Sequence, residues 1–184
     1  MRKWKSSDLS CRIYTKLLCR APKRIANFLL FKFRNSDGNF GFSIRYAIYN
    51  RLLAHVGENV KIFPLVYIYY PERLSIFDNT TIHEFSVLEC KGGVSIGSGT
   101  SIAHKFSLLS STHLFNTSSE KSFRDFGLES KKTTIGENVW IGAGVIITYG
   151  IDIGNNCIIG GQSFINKSVD SNHLVAGVPG RIIK

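Results

Sequence analysis

One stretch of this sequence of 184 residues repeats an isoleucine at every sixth position. The stretch from residue 135 to residue 161 reads IGENVWIGAGVIITYGIDIGNNCIIGG, and the recurring residues are Ile135, Ile141, Ile147, Ile153 and Ile159. An α-helix repeats its apolar stripe at about 3.6 residues and a half-buried strand at about 2 residues. Because neither period is six, the chain must return to the same interior position by a different geometry.

Three six-residue units close one turn of a coil with a triangular section. Each unit supplies a short strand and a tight corner, and the inward side chain stacks on its counterpart in the next turn, about 4.8 Å away. The sequence therefore predicts a mainly β fold, a parallel β-helix of about five coils. These coils cover residues 56–73, 76–93, 96–113, 135–152 and 153–170. The predicted inward positions are Val56, Ile62, Ile68, Ile76, Ile82, Leu88, Ile96, Ile102, Leu108 and every sixth residue from Ile135 to Ile165.

The corners and one long interruption also have characteristic compositions. Glycine often follows the inward aliphatic residue, and asparagine or glycine stands two residues after that. These residue types relieve crowding and tolerate left-handed backbone angles. Residues 114–134 (LFNTSSEKSFRDFGLESKKTT) break the phase and are rich in Ser, Lys and Glu. We expect them to leave the coil as one protruding loop, and a loop of this length in a compact fold is usually functional.

Almost all of the net charge of +10 lies in the N-terminal fifth of the sequence. Residues 1–34 contain ten Lys or Arg and one acid, a net charge of +9, whereas residues 35–184 contain thirteen bases and twelve acids. The apolar residues of the basic segment have helical spacing. We expect a basic helical segment over residues 1–55 and a β-helix domain over residues 56–184.

The basic residues 1–34 have two interpretations that the sequence leaves open. They dock the protein at the inner face of the cell membrane, where each base near anionic lipid contributes about 1 kcal/mol, or they pack on the assembled molecule with their charges solvated. Nucleic acid binding is not expected, since no recognised module accompanies the charge.

Cysteine spacing and the apolar runs favour a cytoplasmic protein. The four cysteines have no metal-ligand spacing, so we expect neither a zinc site nor a disulfide framework. Free cysteines of this kind indicate a reducing compartment. The longest apolar run near the N-terminus, IANFLLFKF, is shorter than the roughly 20 residues of a membrane span. Bases scattered through the first 24 residues argue against a secretory signal.

Several motifs occur in the order found in a known family. They are IGENVWIGAG, the six-residue units around it, STH at residues 111–113, the loop, and the ending VAGVPGRIIK. Together, over residues 44–184, they resemble the hexapeptide-repeat acyltransferases, especially the O-acetyltransferases of sugars and cell-surface polysaccharides. The resemblance implies a left-handed coil, a homotrimer that binds acetyl-CoA between neighbouring subunits, and a saccharide as acetyl acceptor.

The last residue of the STH motif, His113, matches the histidine that the family uses as a general base. A neutral imidazole, whose ordinary pKa is about 6.5, can take the proton of an acceptor hydroxyl. The hydroxyl oxygen would then attack the acetyl thioester directly, without a covalent acetyl-enzyme, while backbone N–H groups hold the oxyanion. The alternative is a surface histidine with no task, and His104 is the second histidine that we would test.

The resemblance also implies a set of acetyl-CoA contacts. Ala143 and Gly161 are 18 residues apart, hence at the same corner of successive coils, where small side chains let the pantetheine arm lie against backbone amides. Lysine and arginine suit the phosphates of the nucleotide end, although the family more often has threonine or serine in place of Asn166. Glu89 is a weaker candidate for binding acceptor hydroxyls or orienting His113. Trp140 is a weaker candidate for lining the cofactor channel or the trimer contact, with simple packing as the alternative. The matching residues are Ala143, Gly161, Asn166, Lys167, Arg181 and Lys184, and no metal is expected.

Other functions also use a β-helix of this kind. Carbonic anhydrases of one class place zinc between three histidines, but His83, His104 and His113 lack that spacing. A non-catalytic solenoid would explain the repeat but not the combination of His113 with Lys167 and Arg181. N-acetylation of an amino sugar and acetylation of an antibiotic stay open beside O-acetylation.

Overall fold

The computed structural model describes residues 4–116 and 122–184, which form helices near the N-terminus followed by many short strands. The helices are α1 (Leu9–Leu18), α2 (Lys23–Phe33) and α3 (Gly38–Leu52), and short 3-10 helices cover Pro71–Arg73 and Phe123–Phe126. The strands are β1 (His55–Val56), β2 (Lys61–Ile62), β3 (Tyr67–Tyr69), β4 (Leu74–Ile76), β5 (Thr81–Ile82), β6 (Val87–Glu89), β7 (Val94–Ile96), β8 (Ser101–Ile102), β9 (Ser107–Leu109), β10 (Ser111–His113), β11 (Leu128–Ser130), β12 (Thr133–Ile135), β13 (Trp140–Ile141), β14 (Ile146–Ile147), β15 (Asp152–Ile153), β16 (Ile158–Ile159), β17 (Phe164–Ile165), β18 (Leu174–Ala176) and β19 (Arg181–Ile182).

Parallel pairing gathers most of these strands into three sheets, which form the walls of a coil. Wall one contains β1, β4, β7, β12 and β15; wall two contains β2, β5, β8, β13, β16 and β18; and wall three contains β3, β6, β9, β14 and β17. The registers place predicted inward residues side by side, so that Ile96 lies between Ile76 and Ile135. The predicted left-handed parallel β-helix is confirmed, and β18 begins a sixth turn beyond the five predicted coils.

The predicted inward side chains fill the centre of the coil. Most of them, such as Ile82, Ile102 and Ile141, are fully buried. Val56 and Ile68 are only half-buried. They lie on β1 and β3, the edge strands of their walls, so a neighbouring turn covers them on one side alone.

A second set of side chains also points into the coil. Each member stands two residues before one of the predicted inward residues, as Thr80 stands before Ile82. The set mixes aliphatic with hydroxyl and thiol side chains, so a search for apolar periodicity alone misses it. The buried hydroxyls are hydrogen-bonded, as burial requires: Thr80 Oγ1 donates to the Gly97 carbonyl at 3.0 Å and Thr100 Oγ1 to the Gly136 carbonyl at 2.9 Å. Buried members of this set are Val60, Val66, Leu74, Thr80, Ser86, Val94, Thr100, Phe106, Thr133, Val139, Val145, Ile151, Cys157 and Ser163.

The corners contain the left-handed residues that their composition predicts. Asn138 and Asn156 have φ angles of 53° and 56°. Their side chains also form a ladder along the coil: Asn138 Nδ2 donates to Asn156 Oδ1 at 2.9 Å, and Asn156 Nδ2 donates to Asn172 Oδ1 at 3.1 Å. At Gly97 an added Cβ would lie 2.5 Å from the Gly136 carbonyl carbon, so this close approach of two turns requires glycine.

Helix α3 closes the N-terminal end of the coil, and α1 and α2 pack on α3. Ile48 and Leu52 of α3 belong to the same apolar core as the inward residues of the coil. Arg45 is buried between the two parts, where its Nε donates to the Ile62 carbonyl at 2.8 Å, and burial lowers the pKa of its guanidinium. Helix α3 and the coil thus share one apolar core. The predicted boundary between a helical segment at residues 1–55 and a β-helix domain at residues 56–184 stays a prediction. Within residues 4–116 and 122–184, no helix has the length and apolar character needed to cross a bilayer.

A hairpin interrupts the regular coil after its third turn. Its strands β10 and β11 pair antiparallel, with His113 opposite Leu128. The chain rejoins wall one at Thr133, beside Val94. The predicted protrusion begins at residue 114, whereas in the structure the chain leaves the coil at Ser111, where β10 pairs with β11 and with none of the three walls. Residues 117–121 of the predicted loop lie outside the described residues.

Candidate active site

The STH histidine stands at the end of the first strand of the hairpin. His113 is exposed, and it borders a concave surface of about 370 Å³ between the hairpin and wall three. Most of the side chains that border this surface are polar, and several can donate or accept hydrogen bonds. The rings of Tyr69 and Tyr70 and the side chain of Leu128 give the surface apolar area beside these polar groups. The surface is lined by Tyr69, Tyr70, Glu89, Lys91, Ser111, Thr112, His113 and Leu128.

The predicted acceptor-site residue Glu89 borders the same surface as His113. Its carboxylate already accepts hydrogen bonds from its own corner: Oε1 from the Lys91 N–H at 3.0 Å, and Oε2 from the Ser110 N–H at 2.9 Å. The Ser110 hydroxyl also donates to Oε2, at 3.2 Å. Glu89 thus stabilises the corner from which β10 departs. Its carboxylate lies at the His113 surface, but its hydrogen bonds are made to the corner.

A cluster that sequence analysis missed ties the hairpin to the fourth turn of the coil. Tyr149 donates its hydroxyl proton to Glu129 Oε2 at 3.2 Å, and Lys131 Nζ lies 3.1 Å from Glu129 Oε1. The hydrogen bond from Lys131, then that from Tyr149, lowers the pKa of the Glu129 carboxyl, and Glu129 raises the pKa of Lys131. We call Glu129, Lys131 and Tyr149 the hairpin anchor. Glu129 pairs with Thr112, so the anchor acts one residue from His113.

The predicted pantetheine residues lie at the corner between walls two and three. Ala143 and Gly161 stack in register there, as their spacing predicts: the Gln162 N–H donates to the Ala143 carbonyl at 2.8 Å. A Cβ added at Gly161 would lie 3.2 Å from the same carbonyl oxygen. Because neither residue has a side chain longer than a methyl group, backbone groups lie close to the surface of this corner.

Three of the predicted nucleotide-end residues come together at the C-terminal end of the coil. Asn166, Lys167 and Arg181 line a cavity of about 250 Å³ between β17 and the antiparallel pair of β18 and β19. A Cβ at Gly180 would lie 2.7 Å from Ile165 Cδ1, so this turn packs tightly on the last buried unit. Lys184 is not among the residues that line the cavity; its carbonyl accepts from the Leu174 N–H at 2.7 Å.

One predicted residue faces outward from a flat wall. Trp140 is 57% exposed and stands in register with Ile158, which is also exposed. Together they form an apolar strip on wall two, and neither residue lines either concave region. Among the described residues, no residue lines both the cavity of Lys167 and Arg181 and the surface around His113. The two candidate sites are therefore separate within one subunit.

Three of the other four histidines have different surroundings. His83 stacks on Phe63 with ring centroids 4.2 Å apart, and His173 Nδ1 lies 3.0 Å from the Asp170 carbonyl. His104 is exposed at the corner where its carbonyl accepts from the Gly144 N–H at 3.0 Å. Among the described residues, no group of three or more His, Cys, Asp or Glu side chains could hold a metal ion.

Sequence comparison finds a matching family description and a curated relative. The family described as "Bacterial transferase hexapeptide (six repeats)" matches residues 132–167, which cover the fourth and most of the fifth coil. The galactoside O-acetyltransferase of Escherichia coli (strain K12) is 32% identical, over 76% of this chain and 68% of its own length.

Solved structures share the architecture described above. A galactoside acetyltransferase in complex with coenzyme A superposes with a TM-score of 0.77 at 26% identity, covering 97% of this chain and 83% of its own. A hexapeptide-repeat acetyltransferase from Vibrio cholerae, VCA0836, complexed with acetyl coenzyme A, has a TM-score of 0.78 at 21% identity and covers 100% and 92% of the two chains. The fold, the repeat and the extent of the sequence match lead to one conclusion: this chain belongs to the hexapeptide-repeat acetyltransferase family.

Proposed function

We propose that this enzyme transfers the acetyl group of acetyl-CoA to a hydroxyl of a sugar or a cell-surface polysaccharide, with His113 as the general base. The observation that carries the proposal is the position of His113, exposed on a concave surface where the coil is interrupted. The galactoside O-acetyltransferase relative supports a saccharide acceptor, and the neighbours solved with coenzyme A and acetyl coenzyme A support the donor.

The proposed reaction is a direct transfer. The neutral imidazole of His113 takes the proton of the acceptor hydroxyl as the oxygen attacks the thioester carbonyl. The tetrahedral intermediate then collapses: the carbon–sulfur bond breaks, the acetyl ester remains on the sugar, and the CoA sulfur leaves with the proton that the imidazolium returns. Backbone N–H groups at a coil corner would stabilise the oxyanion.

Donor binding is assigned to the two regions at the corner and the end of the coil. The corner at Ala143 and Gly161 would let the pantetheine arm lie against backbone amides. Lys167 and Arg181, with Asn166, offer charged and amide donors to the phosphates of the nucleotide end, and Lys184 would add a further base.

A homotrimer would join sites that one subunit keeps apart. The surface around His113 and the donor cavity share no lining residue, so we propose that the donor bound along one subunit reaches His113 of its neighbour. The apolar strip of Trp140 and Ile158 would lie in or beside this contact. A molar mass of three chains by light scattering is the expected result, and a stable monomer that transfers acetyl groups at full rate contradicts the trimer.

The experiment that tests the proposal offers acetyl-CoA with a panel of saccharides and detects products by mass. The expected product gains one acetyl group on oxygen, and an alkali-labile ester separates it from an N-acetyl product. Acetylation of an amino sugar on nitrogen alone would replace O-acetylation by the alternative. A protein that neither acetylates any acceptor nor gains thermal stability with millimolar CoA would be a non-catalytic solenoid.

We also propose a location at the inner face of the cell membrane, where lipid-linked saccharides are assembled. The helices that precede the coil offer the surface for such a contact.

A further inference from the structure

Helix α1 exposes an apolar stripe to solvent. Leu9, Ile13 and Leu17 follow one another at intervals of four residues, so they lie on one face of the helix. Their side chains are 74%, 46% and 70% exposed. The opposite side of α1 packs on α3 and buries Cys11 completely. The stripe therefore lies on a helix whose opposite side is held in place by packing on α3.

Basic side chains run beside that stripe. Arg12 and Lys16 are exposed and, like the aliphatic residues, are separated by one helical turn. Both bases, together with Leu9 and Ile13, line an open concavity of about 800 Å³, which the acidic Glu58 of the coil also borders. Apolar and positive groups thus alternate across the same face.

Helix α2 repeats this combination. Phe28 and Phe31 are 58% and 76% exposed, while Ala26 is buried. Lys32 Nζ lies 5.9 Å from the centre of the Phe28 ring, and Arg24 is also exposed on α2. Two separate helices therefore present large apolar side chains interleaved with bases.

The charge of the whole chain decides which partner fits this surface. Residues 1–34 carry a net charge of +9, whereas the rest of the sequence has thirteen bases against twelve acids. A second copy of the chain therefore has no large acidic excess to set against the bases. A bilayer with anionic headgroups supplies both the negative charge and an apolar layer of shallow depth, which is the environment that basic amphipathic helices enter.

We infer that α1 and α2 form a docking surface for an anionic lipid bilayer. The aliphatic and aromatic side chains enter the boundary between headgroups and acyl chains, and the bases contact lipid phosphates. Binding by this surface is reversible and weakens with salt, because Coulomb attraction between exposed charges is screened. The inference does not depend on His113 or on the identity of the acceptor.

The test is flotation of the full chain with vesicles of phosphatidylcholine alone or mixed with phosphatidylglycerol. We expect binding to the anionic vesicles only, and its loss at high salt. Arg12→Glu combined with Lys16→Glu, and separately Leu9→Ser with Ile13→Ser and Leu17→Ser, should each weaken binding by about tenfold or more. Lys61→Glu combined with Lys132→Glu changes the net charge of the coil by the same amount and is the matched control.

Three outcomes overturn the inference. The first is no flotation of the full chain with anionic vesicles, and the second is flotation that both α1 variants retain in full. Variants that lose the trimer but keep vesicle binding would show that another subunit covers the stripe, which also contradicts bilayer docking. Circular dichroism verifies folding, and acetylation of a soluble sugar by the α1 variants keeps a failure of docking distinct from a failure of the proposed reaction.

Discussion

The regular coil and the hairpin that interrupts it are held in place by different means. A strand in the middle of a wall has backbone partners on both sides, and its inward side chain is buried between identical neighbours, as Ile141 is. The hairpin consists of two short strands with exposed His113 at one end, and side chains of the hairpin anchor tie it to the coil. Repetition thus provides a rigid frame, while the candidate chemistry stands on the part that departs from the repeat.

The largest expected effect separates activity from stability on the hairpin. His113→Ala should lower turnover by about 10²- to 10⁴-fold, because it removes the proposed general base. The melting temperature and CoA binding should stay unchanged, since the side chain is exposed. Kinetics and thermal melting of the same preparation measure both. His104→Ala is the control, because that exposed histidine lies at a regular corner; turnover of His113→Ala within a few-fold of the wild type would remove its assignment.

The opposite separation is expected in the coil. Ile141→Ala should lower the free energy of unfolding by about 2–5 kcal/mol, because it leaves a cavity between stacked neighbours that cannot collapse freely. The rate per folded molecule should change little. Denaturant unfolding with a parallel activity assay checks this, and Ile158→Ala, at an exposed position of the same wall, should cost far less stability unless the assembled trimer buries it.

The hairpin anchor should have an intermediate effect that appears in turnover. Glu129→Gln or Tyr149→Phe should lower kcat several-fold with little change in melting temperature, because the hairpin loses its link to the coil and His113 is positioned less accurately. Steady-state kinetics with a fixed acceptor measures the change. Equal losses on Leu114→Ala, an exposed hairpin site, would show that any change in the hairpin has this result and that the anchor has no special part.

The anchor also predicts a direction with pH. The folded protein lowers the pKa of Glu129, so the link is complete above the ordinary pKa of a carboxyl and is lost as the pH falls through the lowered value. Acid should therefore detach the hairpin in the wild type, whereas Glu129→Gln should lack this transition. Fluorescence of a probe on the hairpin, recorded across the acid range, compares the two proteins; identical profiles contradict the anchor.

The smallest expected effect concerns a single corner. Asn138→Ala should cost about 1 kcal/mol of stability for two reasons. Alanine tolerates a φ of 53° less well than asparagine does, and the substitution removes the side-chain hydrogen bond to Asn156. Asn138→Gly keeps the backbone angle free and should recover part of the loss. Denaturant midpoints of both variants measure the difference, and equal costs would show that the amide, and not the angle, matters at this corner.

Local repetition explains how much of the fold was predictable. A period of six, with glycine and asparagine after the inward residue, reports the same environment in every turn, so inward residues such as Ile96 and corner residues such as Asn138 could be assigned one unit at a time. The second inward set was missed because Thr80 and Thr100 look polar and become core residues only through their hydrogen bonds to the next turn. The half-burial of Val56 likewise depends on where the stack ends.

The candidate site was predictable only in part, for a related reason. The STH motif directed attention to His113, and spacing placed Ala143 beside Gly161. Nothing in the spacing indicates that Tyr149 meets Glu129, because the hairpin does not repeat and its direction is set by the fold.

By itself, the sequence determined the triangular coil, its corners and the concentration of positive charge before the coil begins, because each of these follows from residues close together in the chain. The tertiary structure alone decided that β10 leaves the wall at Ser111, that Glu89 bonds its own corner, and that α1 shows its aliphatic stripe outward. These features depend on contacts between segments that approach each other only after the turns have stacked, and no local pattern records such contacts.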